Sequence, residues 1–435
     1  MKPKGLLIAV AVLAVLGGAV WWSNKKQAAA AKNTPDSTTK IVSIPDDQIQ
    51  AIRIERPGGE TDDLKKDNGK WTLTEPKALP ADPDAAASLV SSVDSVTADQ
   101  TVEDKAQDIS QYGLNHPQLT VAITRKDGKT TTLLIGADTL NNSGSYAMKE
   151  GDPHVYTVGT YVKTSLDKKE NDLRDKRLLT FNQDALTRVQ FQGKGPAIEF
   201  GKNSQNEWAI VQPRPLRADS TAVDGLVSKL HDAKMDLTNP DPDAAKKFAE
   251  GAKIATVTVT DNSGNQTLEV RQDKDKTYYA KSTAVDGVFK ITSDVGDGFN
   301  KTLDDFRNKK LFDFGFSDPT VVAVNGTTYT KSGDKWMNGS KTMDNSTVQS
   351  LIDKLRDLSA TKFVDKGGGQ PVFTASVTSN SGKRVEKVTI SKQGDQYFAQ
   401  REGEPSIYEL DAKSVTDLQT AALGVKEQAP PAKKK

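Results

Sequence analysis

The side chains best suited to acid–base or metal chemistry in this chain are three histidines, which occur far apart in the sequence. His116 precedes a proline, His154 follows one, and His231 ends a stretch with helical spacing of apolar residues. Metal-binding histidines are normally spaced so that two of them share one face of a helix or one turn. None of the three has such a neighbour, so we interpret them as surface or turn residues and predict no metal and no cofactor.

Acidic residues are plentiful, and three clusters are dense enough to suggest calcium-binding loops. They are NPDPDAAKK from Asn239 to Lys247, RQDKDK from Arg271 to Lys276 and SDVGDG from Ser293 to Gly298. None has the ligand series of an EF-hand, so we interpret them as turns and helix caps. A carboxylate pair for glycan cleavage would be positioned by tertiary structure, and the sequence singles out no such pair.

Other signatures of catalysis are missing from the sequence. The chain contains no cysteine, which excludes disulfides, thiolate nucleophiles and a lipidated N-terminal cysteine. It has no nucleophile elbow, no P-loop and no glycine-rich dinucleotide turn. Its 59 Lys and Arg residues nearly balance its 58 Asp and Glu residues, so no global field favours nucleic acid. We predict a protein that is not an enzyme, has no catalytic residues and does not bind nucleic acid.

Three tryptophans could stack on a sugar or a peptide, but their spacing indicates a structural role. Trp71, Trp208 and Trp336 recur at nearly equal intervals, and each follows a polar turn and begins an apolar strand. Such a pattern is typical of a hairpin. We predict that the tryptophans anchor this hairpin on a helix in three copies of one repeat.

An acidic residue opens a helical stretch after each hairpin. Asp82, Asp219 and Asp344 are suited to the N-cap position, and apolar residues follow them at helical spacing. These residues are Leu89, Val90, Val93 and Val96 in the first copy, Val223, Leu226, Val227 and Leu230 in the second, and Val348, Leu351, Ile352, Leu355 and Leu358 in the third. One helix face is therefore predicted to pack on a sheet in each copy.

A second pair of strands follows each predicted helix, with apolar residues alternating around a polar turn. The turns contain Gly128, Gly264 and Gly382. The first two copies close with similar strings, LRDKRLL from Leu173 and FRNKKLF from Phe306, which we interpret as connections into the following copy. The order of elements predicts an α+β fold of tandem antiparallel-sheet modules with packed helices.

The repeats define the predicted domain organisation. The first copy is predicted over residues 41–180 and the second over 181–313. The third, over 314–426, is interpreted as a shortened terminal copy because it lacks the connecting string. Residues 427–435 are predicted to be a disordered tail.

The N-terminus contains an uncharged apolar segment, residues 5–22. At ~1.5 Å per residue it reaches ~27 Å, close to the thickness of a membrane core, and Trp21 and Trp22 fit an interfacial aromatic belt. A cleaved signal peptide shares the pattern, but no small-residue site ends the apolar run. We predict a transmembrane helix over 5–22, a cytoplasmic lead over 1–4 and a flexible linker over 23–40.

These features together resemble a known family. The N-terminal span, the tryptophan hairpins, YGLNHP from Tyr112, the LLIG strand and LRDKRLL are similar to the domain of unknown function 4340 (DUF4340). The resemblance is closest over residues 49–179 and loosest in the third copy. It implies a bacterial envelope protein, associated in some members with ABC transporters of the gliding-motility type, and it supplies no catalytic residues.

The sequence thus favours an accessory or scaffold protein. It would be anchored in a bacterial inner membrane by one N-terminal helix, with its repeats in the periplasm or another extracytoplasmic space, and would bind envelope or ABC transporter proteins. One alternative is a solute- or glycan-binding protein with a groove between modules. A second is an envelope hydrolase with a carboxylate pair in a cleft. The sequence sets no oligomeric state.

Overall fold

The structure is a computed structural model that describes residues 39–140, 142–204, 206–315 and 319–429. The predicted transmembrane helix, Trp21, Trp22 and the predicted linker as far as residue 38 lie outside these residues. Within the described ranges, no helix is both long enough and apolar enough to cross a membrane. The chain divides into two compact units, Met1–Lys176 and Arg177–Lys435.

Among its described residues, the first unit contains one large antiparallel sheet, a separate two-stranded pair and three α-helices. The strands are β1 (Lys40–Ser43), β2 (Ile49–Glu55), β3 (Thr61–Asp67), β4 (Lys70–Glu75), β5 (Leu79–Pro80), β6 (Ser95–Thr97), β7 (Gln100–Glu103), β8 (Leu119–Arg125), β9 (Thr130–Asp138), β10 (Gly144–Lys149) and β11 (Val155–Gly159). The helices are α1 (Pro83–Asp94), α2 (Thr160–Leu166) and α3 (Glu170–Leu173). The sheet order is β5-β4-β3-β2-β8-β9-β10-β11-β7, while β1 pairs with β6.

The second unit contains two further antiparallel sheets. The strands of one are β12 (Arg188–Gln192), β13 (Ile198–Lys202), β14 (Trp208–Gln212), β15 (Leu216–Arg217), β16 (Ala252–Asp261), β17 (Gly264–Gln272), β18 (Tyr278–Ser282) and β19 (Val288–Ile291). Its helices are α4 (Ser220–His231), α5 (Ala244–Glu250), α6 (Ser293–Gly298) and α7 (Leu303–Phe306). The strands of the other are β20 (Val321–Val324), β21 (Thr327–Ser332), β22 (Lys335–Asn338), β23 (Lys341–Met343), β24 (Ala360–Val364), β25 (Gln370–Ser379), β26 (Arg384–Gln393), β27 (Gln396–Arg401) and β28 (Ile407–Leu410), with helices α8 (Asn345–Asp357) and α9 (Ala412–Leu423).

The three large sheets share one strand order. The second runs β15-β14-β13-β12-β16-β17-β18-β19 and the third β23-β22-β21-β20-β25-β26-β27-β28-β24. The third matches the first at all nine positions, and the second matches it at the first eight. We call each sheet with its helices a module, so that the first module lies in the first unit and the other two in the second. The structure confirms that several antiparallel-sheet modules with a few helices make up the described chain.

Each module buries one face of its sheet against the helix that follows the tryptophan hairpin. Alternate residues of the central strands are buried, as in β8 and β16, and the same is true of β25. The helices α1, α4 and α8 bury one stripe of apolar residues against that face. Val96 differs from the helical prediction, because α1 ends at Asp94 and Val96 is a buried residue of β6.

The second module lacks the ninth strand that closes the other two sheets. The segment after α4 begins the same pairing, since the Asp236 amide donates to the Lys290 carbonyl of β19 at 2.8 Å. Pro240 and Pro242 then follow, and a proline has no amide proton with which to continue a ladder. The chain turns away into α5 instead.

The outer face of each sheet carries one aromatic residue at an equivalent position, covered by the segment that precedes the central strand pair. Tyr146 lies under Tyr112, with ring centroids 4.9 Å apart, and Tyr279 packs with Phe248 of α5. Phe398 lies under Gly367, where a Cβ atom would approach the ring to 2.7 Å. The third module is shorter because this covering segment shrinks to residues 365–369, whereas its sheet keeps nine strands.

The two connecting strings extend further into the following modules than the predicted boundaries allow. In the first string, Leu173 belongs to the core of the first module, whereas Leu178 and Leu179 belong to the core of the second. In the second string, Phe306 packs in the second module, whereas Leu311 and Phe312 pack in the third. The boundaries at 180/181 and 313/314 therefore move several residues towards the N-terminus, because each string buries one apolar end in each module.

The last module ends in the same backbone pairing as the other two. Glu427 forms a bridge with Met343, as Arg174 does with Ala81 and Arg307 with Ala218. The Gln428 amide also donates to the Thr342 carbonyl at 2.9 Å. Ordered structure therefore extends into the segment predicted as a tail, because backbone pairing does not need the LRDKRLL side chains.

Candidate functional site

A network of buried and half-buried charges lies where the second module meets the third. We call it the junction network, and it consists of Arg217, Asp313, Arg384, Glu386, Arg401, Glu404 and Tyr408. Glu386 lies on β26 two residues before Val388, so both side chains are on the inward face of the strand. The Glu386 side chain is only 4% exposed. The Asp313 amide donates to both carboxylate oxygens of Glu386, at 2.9 and 3.1 Å. The second connector is thereby fixed to the third sheet.

Arg401, at the end of β27, balances the charge of Glu386. Its Nη2 donates to Glu386 Oε1 at 3.0 Å, and its Nε donates to Glu404 Oε1 at 2.7 Å. Its Nη1 donates to the carbonyl of Leu311 in the connector. One guanidinium therefore joins two strands of the third sheet to the chain that arrives from the second module.

Arg217, on the edge strand β15, contributes the matching charge from the second module. Its Nε donates to Asp313 Oδ2 at 2.9 Å and its Nη1 to the Lys310 carbonyl at 2.8 Å. Burial would lower the pKa of Arg217, but the negative charges of Asp313 and Glu404 outweigh burial and raise it. Burial, with the hydrogen bond to Glu404, raises the pKa of Tyr408 to about 12, so this phenol stays protonated.

Two further arginines extend the contact between the second and third modules. Arg384 donates to the Asp313 carbonyl at 2.9 Å and to Glu207 of the second module at 2.6 Å. Arg307 lies 3.4 Å over the ring of Phe363 and donates to Ser406 Oγ at 3.0 Å. A planar guanidinium suits such combined stacking and hydrogen bonding. The junction is therefore held by several buried polar contacts.

The first connector makes the equivalent contacts within the second module through neutral side chains. The Thr180 amide donates to Gln266 Oε1 at 2.8 Å. This bond is equivalent to the one that the Asp313 amide donates to Glu386 in the third module. Ser282 Oγ donates to the Leu178 carbonyl. In the third module the equivalent bond is the one that Arg401 donates to the Leu311 carbonyl. These two contacts are therefore neutral in the second module, whereas charged side chains make the equivalent contacts in the third.

The junction network is suited to fastening rather than to acid–base chemistry. Its carboxylates accept hydrogen bonds from arginines, which remain charged at every physiological pH and cannot act as proton acceptors. A buried ion pair whose members are satisfied resists separation strongly, because separating them leaves a buried charge. We therefore interpret the network as a lock between the second and third modules.

A cavity of about 580 Å³ lies on the outer face of the third sheet. It extends from the β20–β21 turn to the turn after β27, and most of its lining side chains are polar or charged. They include Asn325, Thr374, Ser376, Lys387, Thr389, Gln400 and Glu402. Hydroxyl, amide and charged groups of this kind can hydrogen-bond a polar ligand.

Two of the three histidines contact nearby carboxylates, and the ring of His231 also lies edge-on to Phe181, with centroids 6.4 Å apart. His154 Nδ1 contacts the carboxylate of Asp152, two residues earlier. His231, the last residue of α4, lies 3.1 Å from Asp232 through its Nδ1. Among the described residues, no group of three or more histidines and carboxylates is arranged to hold a metal ion.

The acidic clusters supply hydrogen bonds to turns and to neighbouring side chains. Asp273 Oδ1 accepts from the amides of Asp275 and Thr277 at 2.9 and 2.8 Å. Asp297, in the SDVGDG cluster, accepts from the hydroxyl of Tyr278. In the NPDPDAAKK cluster, Asp241 accepts from Lys247 at 2.6 Å and from Tyr279 at 2.7 Å.

The Asp241 contacts predict a specific acid sensitivity. The hydrogen bonds from Lys247 and Tyr279 lower the pKa of Asp241 from 3.8 to about 2. A carboxyl group with a lowered folded-state pKa stabilises the fold above its ordinary pKa and loses this contribution as pH falls through the lowered value. We expect D241N to lose less stability than the unsubstituted chain between pH 4 and pH 2, measured by thermal unfolding at stepped pH. Identical pH dependence of the two proteins would contradict this prediction.

The structure places the predicted caps and tryptophans at equivalent positions in the three modules. Asp82 accepts from the Ala85 amide at 3.1 Å, Asp219 from that of Ala222 at 3.1 Å and Asp344 from that of Thr347 at 3.0 Å. Trp208 and Trp336 are buried and Trp71 is half-buried, each packed against the core of its module. Asp411 caps α9 in the same way, by accepting from Ser414.

The junction network was not identified from the sequence. One signal was present, since Glu386 interrupts the inward-facing series of VEKVTI with a charge. A charged residue at an inward position normally has a partner. The partners Arg217, Asp313 and Arg401 are far away in sequence, so the pattern could not supply them.

Comparison with known proteins agrees with the repeat. The sequence model described as "Domain of unknown function (DUF4340)" matches residues 71–210 and again residues 208–374. The two matches begin at Trp71 and Trp208, which are equivalent residues of successive modules. Searches of curated proteins and of solved structures give no match. Since the two family matches extend over well above half of its length, the chain belongs to the DUF4340 family.

Proposed function

We propose that this chain is a membrane-anchored accessory or scaffold protein of the bacterial envelope that binds a component of an ABC-type transport system. The observation that carries the proposal is the junction network. Modules joined by a free linker reorient independently, whereas a junction of buried ions holds the second and third modules as one body. A partner can then bind across surfaces of both modules without first ordering them.

Two further observations support the location and the type of partner. The apolar segment 5–22 has the length and flanks of a membrane anchor, and family resemblance connects such chains with the envelope and with ABC transporters. The contacts that the described residues make fasten the modules and close turns, and fastening of this kind supports a binding role.

The proposal is tested by crosslinking the tagged full chain in its own membranes and identifying the proteins recovered. We expect enrichment of an ABC permease or ATPase subunit. A tagged fragment of residues 1–40 serves as the control, because it keeps the apolar segment and loses the modules. Recovery of the same proteins with both, or of no transport or envelope component with the full chain, would refute the proposal.

The cavity on the third sheet favours a second candidate, an extracytoplasmic solute- or glycan-binding protein. A ligand from a panel of envelope glycans and small polar solutes should raise the melting temperature of the chain. The variant Q400L removes one exposed polar group from the cavity lining and should reduce this shift. A ligand that stabilises both proteins equally does not bind in this cavity.

A further inference from the structure

The first module exposes two large apolar side chains at one end of its sheet. Leu140, in the turn between β9 and β10, is fully exposed, and Tyr161, at the start of α2, is 66% exposed. The turn is closed by the Thr139 amide, which donates to the Gly144 carbonyl at 2.8 Å. The Thr160 hydroxyl donates to the Ser143 carbonyl at 3.3 Å, so both exposed side chains lie at the same end. We call this end, residues 139–140, 142–144 and 159–161, the apolar tip.

The apolar tip contains no charged residue. The sequence from Thr139 to Met148 is uncharged, and so is that from Val155 to Val162. Asp138 and Lys163, which flank these segments, form an ion pair at 3.0 Å. Transfer of these two segments out of bulk water therefore desolvates no charge of their own, and Asp99, whose carboxylate lies beside Gly159, is an exposed residue at the edge of the tip.

The chain also enters the first module at this end. The Ala98 amide donates to the carbonyl of Thr39, the first described residue, and the Asp99 amide donates to the Thr157 carbonyl, both at 2.8 Å. A Cβ atom on Gly159 would lie 3.6 Å from the Asp99 carboxylate and against the ring of Tyr161. The apolar tip is therefore adjacent to the point where the N-terminal segment joins the module.

Covalent geometry limits how far the tip can lie from the proposed anchor. Only residues 23–38 separate Trp22 from Thr39, and an extended chain of that length spans at most about 60 Å. A surface tethered this closely meets the bilayer at a high local concentration. Tyrosine and leucine are also side chains that favour the lipid interface, tyrosine because one end of its ring is apolar and the other polar.

From these observations we infer that the apolar tip is a lipid-contacting surface, which docks the first module on the outer face of the membrane that carries the anchor. Leu140 enters the boundary between headgroups and acyl chains, and Tyr161 lies at headgroup level. The contact sets the orientation of the first module relative to the bilayer. The inference rests on the proposed membrane anchoring.

The absence of cysteine makes a direct test available. Single variants L140C and Y161C, made in the full chain and reconstituted in phospholipid vesicles, each carry one nitroxide spin label at an exposed site. We expect the label at either site to collide several-fold more with oxygen, which partitions into lipid, than with a water-soluble nickel complex. The matched control is L423C, whose leucine is 89% exposed in α9 of the second unit, and its label should favour the nickel complex.

The outcomes separate this inference from the anchoring on which it rests. Labels at 140 and 161 that behave like the label at 423 would overturn the lipid contact, whether all three are in water or all three in lipid. Failure of the chain to float with the vesicles would instead overturn the anchoring. Protection of the labels at 140 and 161 from both oxygen and nickel would indicate contact with a second copy of the chain and would also overturn the lipid contact.

Discussion

Replacing Arg401 with methionine is expected to lower the free energy of unfolding of the second unit by about 3–5 kcal/mol. Methionine keeps the apolar stem of the arginine but leaves Glu386 buried beside Asp313 without its guanidinium partner. Urea denaturation followed by circular dichroism measures the change. An effect below about 1 kcal/mol, the magnitude of an exposed ion pair, would contradict the assignment of Glu386 and Arg401 as a buried pair.

A control for this prediction lies on the neighbouring strand, β26. Lys387 pairs with Glu402 at 3.0 Å, but the two side chains are 54% and 67% exposed. Solvent screens such a pair, so K387M should change stability by less than about 1 kcal/mol. The contrast between neighbouring substitutions on β26 and β27 isolates burial as the cause.

A double variant tests whether the two charges act as a unit. The double variant E386Q/R401M removes both charges. It places a glutamine at position 386, as the second module has at the equivalent position, Gln266. Since no charge is then left alone, the double variant should be less destabilised than the sum of the single variants E386Q and R401M. Additive losses would show that the two side chains contribute independently.

Much of the fold was predictable because one pattern occurs three times. The hairpin tryptophans, the aspartate caps and the alternating strands each express a local preference, and repetition in a fixed order distinguishes them from chance. Helix α4 shows this well, since its predicted apolar residues, from Val223 to Leu230, are all buried.

The features that sequence did not predict depend on contacts between distant residues. The strands β7 and β24 close their sheets with short segments, of which β7 is largely exposed, and neither has the apolar alternation that would identify it. The predicted module boundaries differ from those of the structure because the sequence does not show whether Leu178 and Leu311 pack against the preceding module or the following one. The junction network joins residues from β15, the second connector and three strands of the third sheet, so no local pattern contains it.

The repeated tryptophans are expected to contribute strongly to the stability of their modules. Trp208 is 8% exposed in the core of the second module, and its Nε1 donates to Asp224 of α4 at 2.8 Å. Replacing a buried tryptophan with alanine removes its packing and leaves a cavity, so W208A should cost about 3–5 kcal/mol in the free energy of unfolding. Thermal and urea unfolding of the full chain measure this loss.

Two further variants separate packing from hydrogen bonding and from ligand binding. W208F keeps an apolar ring but loses the donor to Asp224, which is an exposed residue, so it should cost about 0.5–1.5 kcal/mol, the net contribution of a typical hydrogen bond. W71A should cost less than W208A, because Trp71 is only half-buried at the equivalent position. Unchanged stability of W208A would contradict the anchoring role and favour an aromatic platform for a ligand. A graded loss in the order W208A, W208F, wild type would instead show that the indole joins the hairpin to its helix by packing first and by its hydrogen bond second.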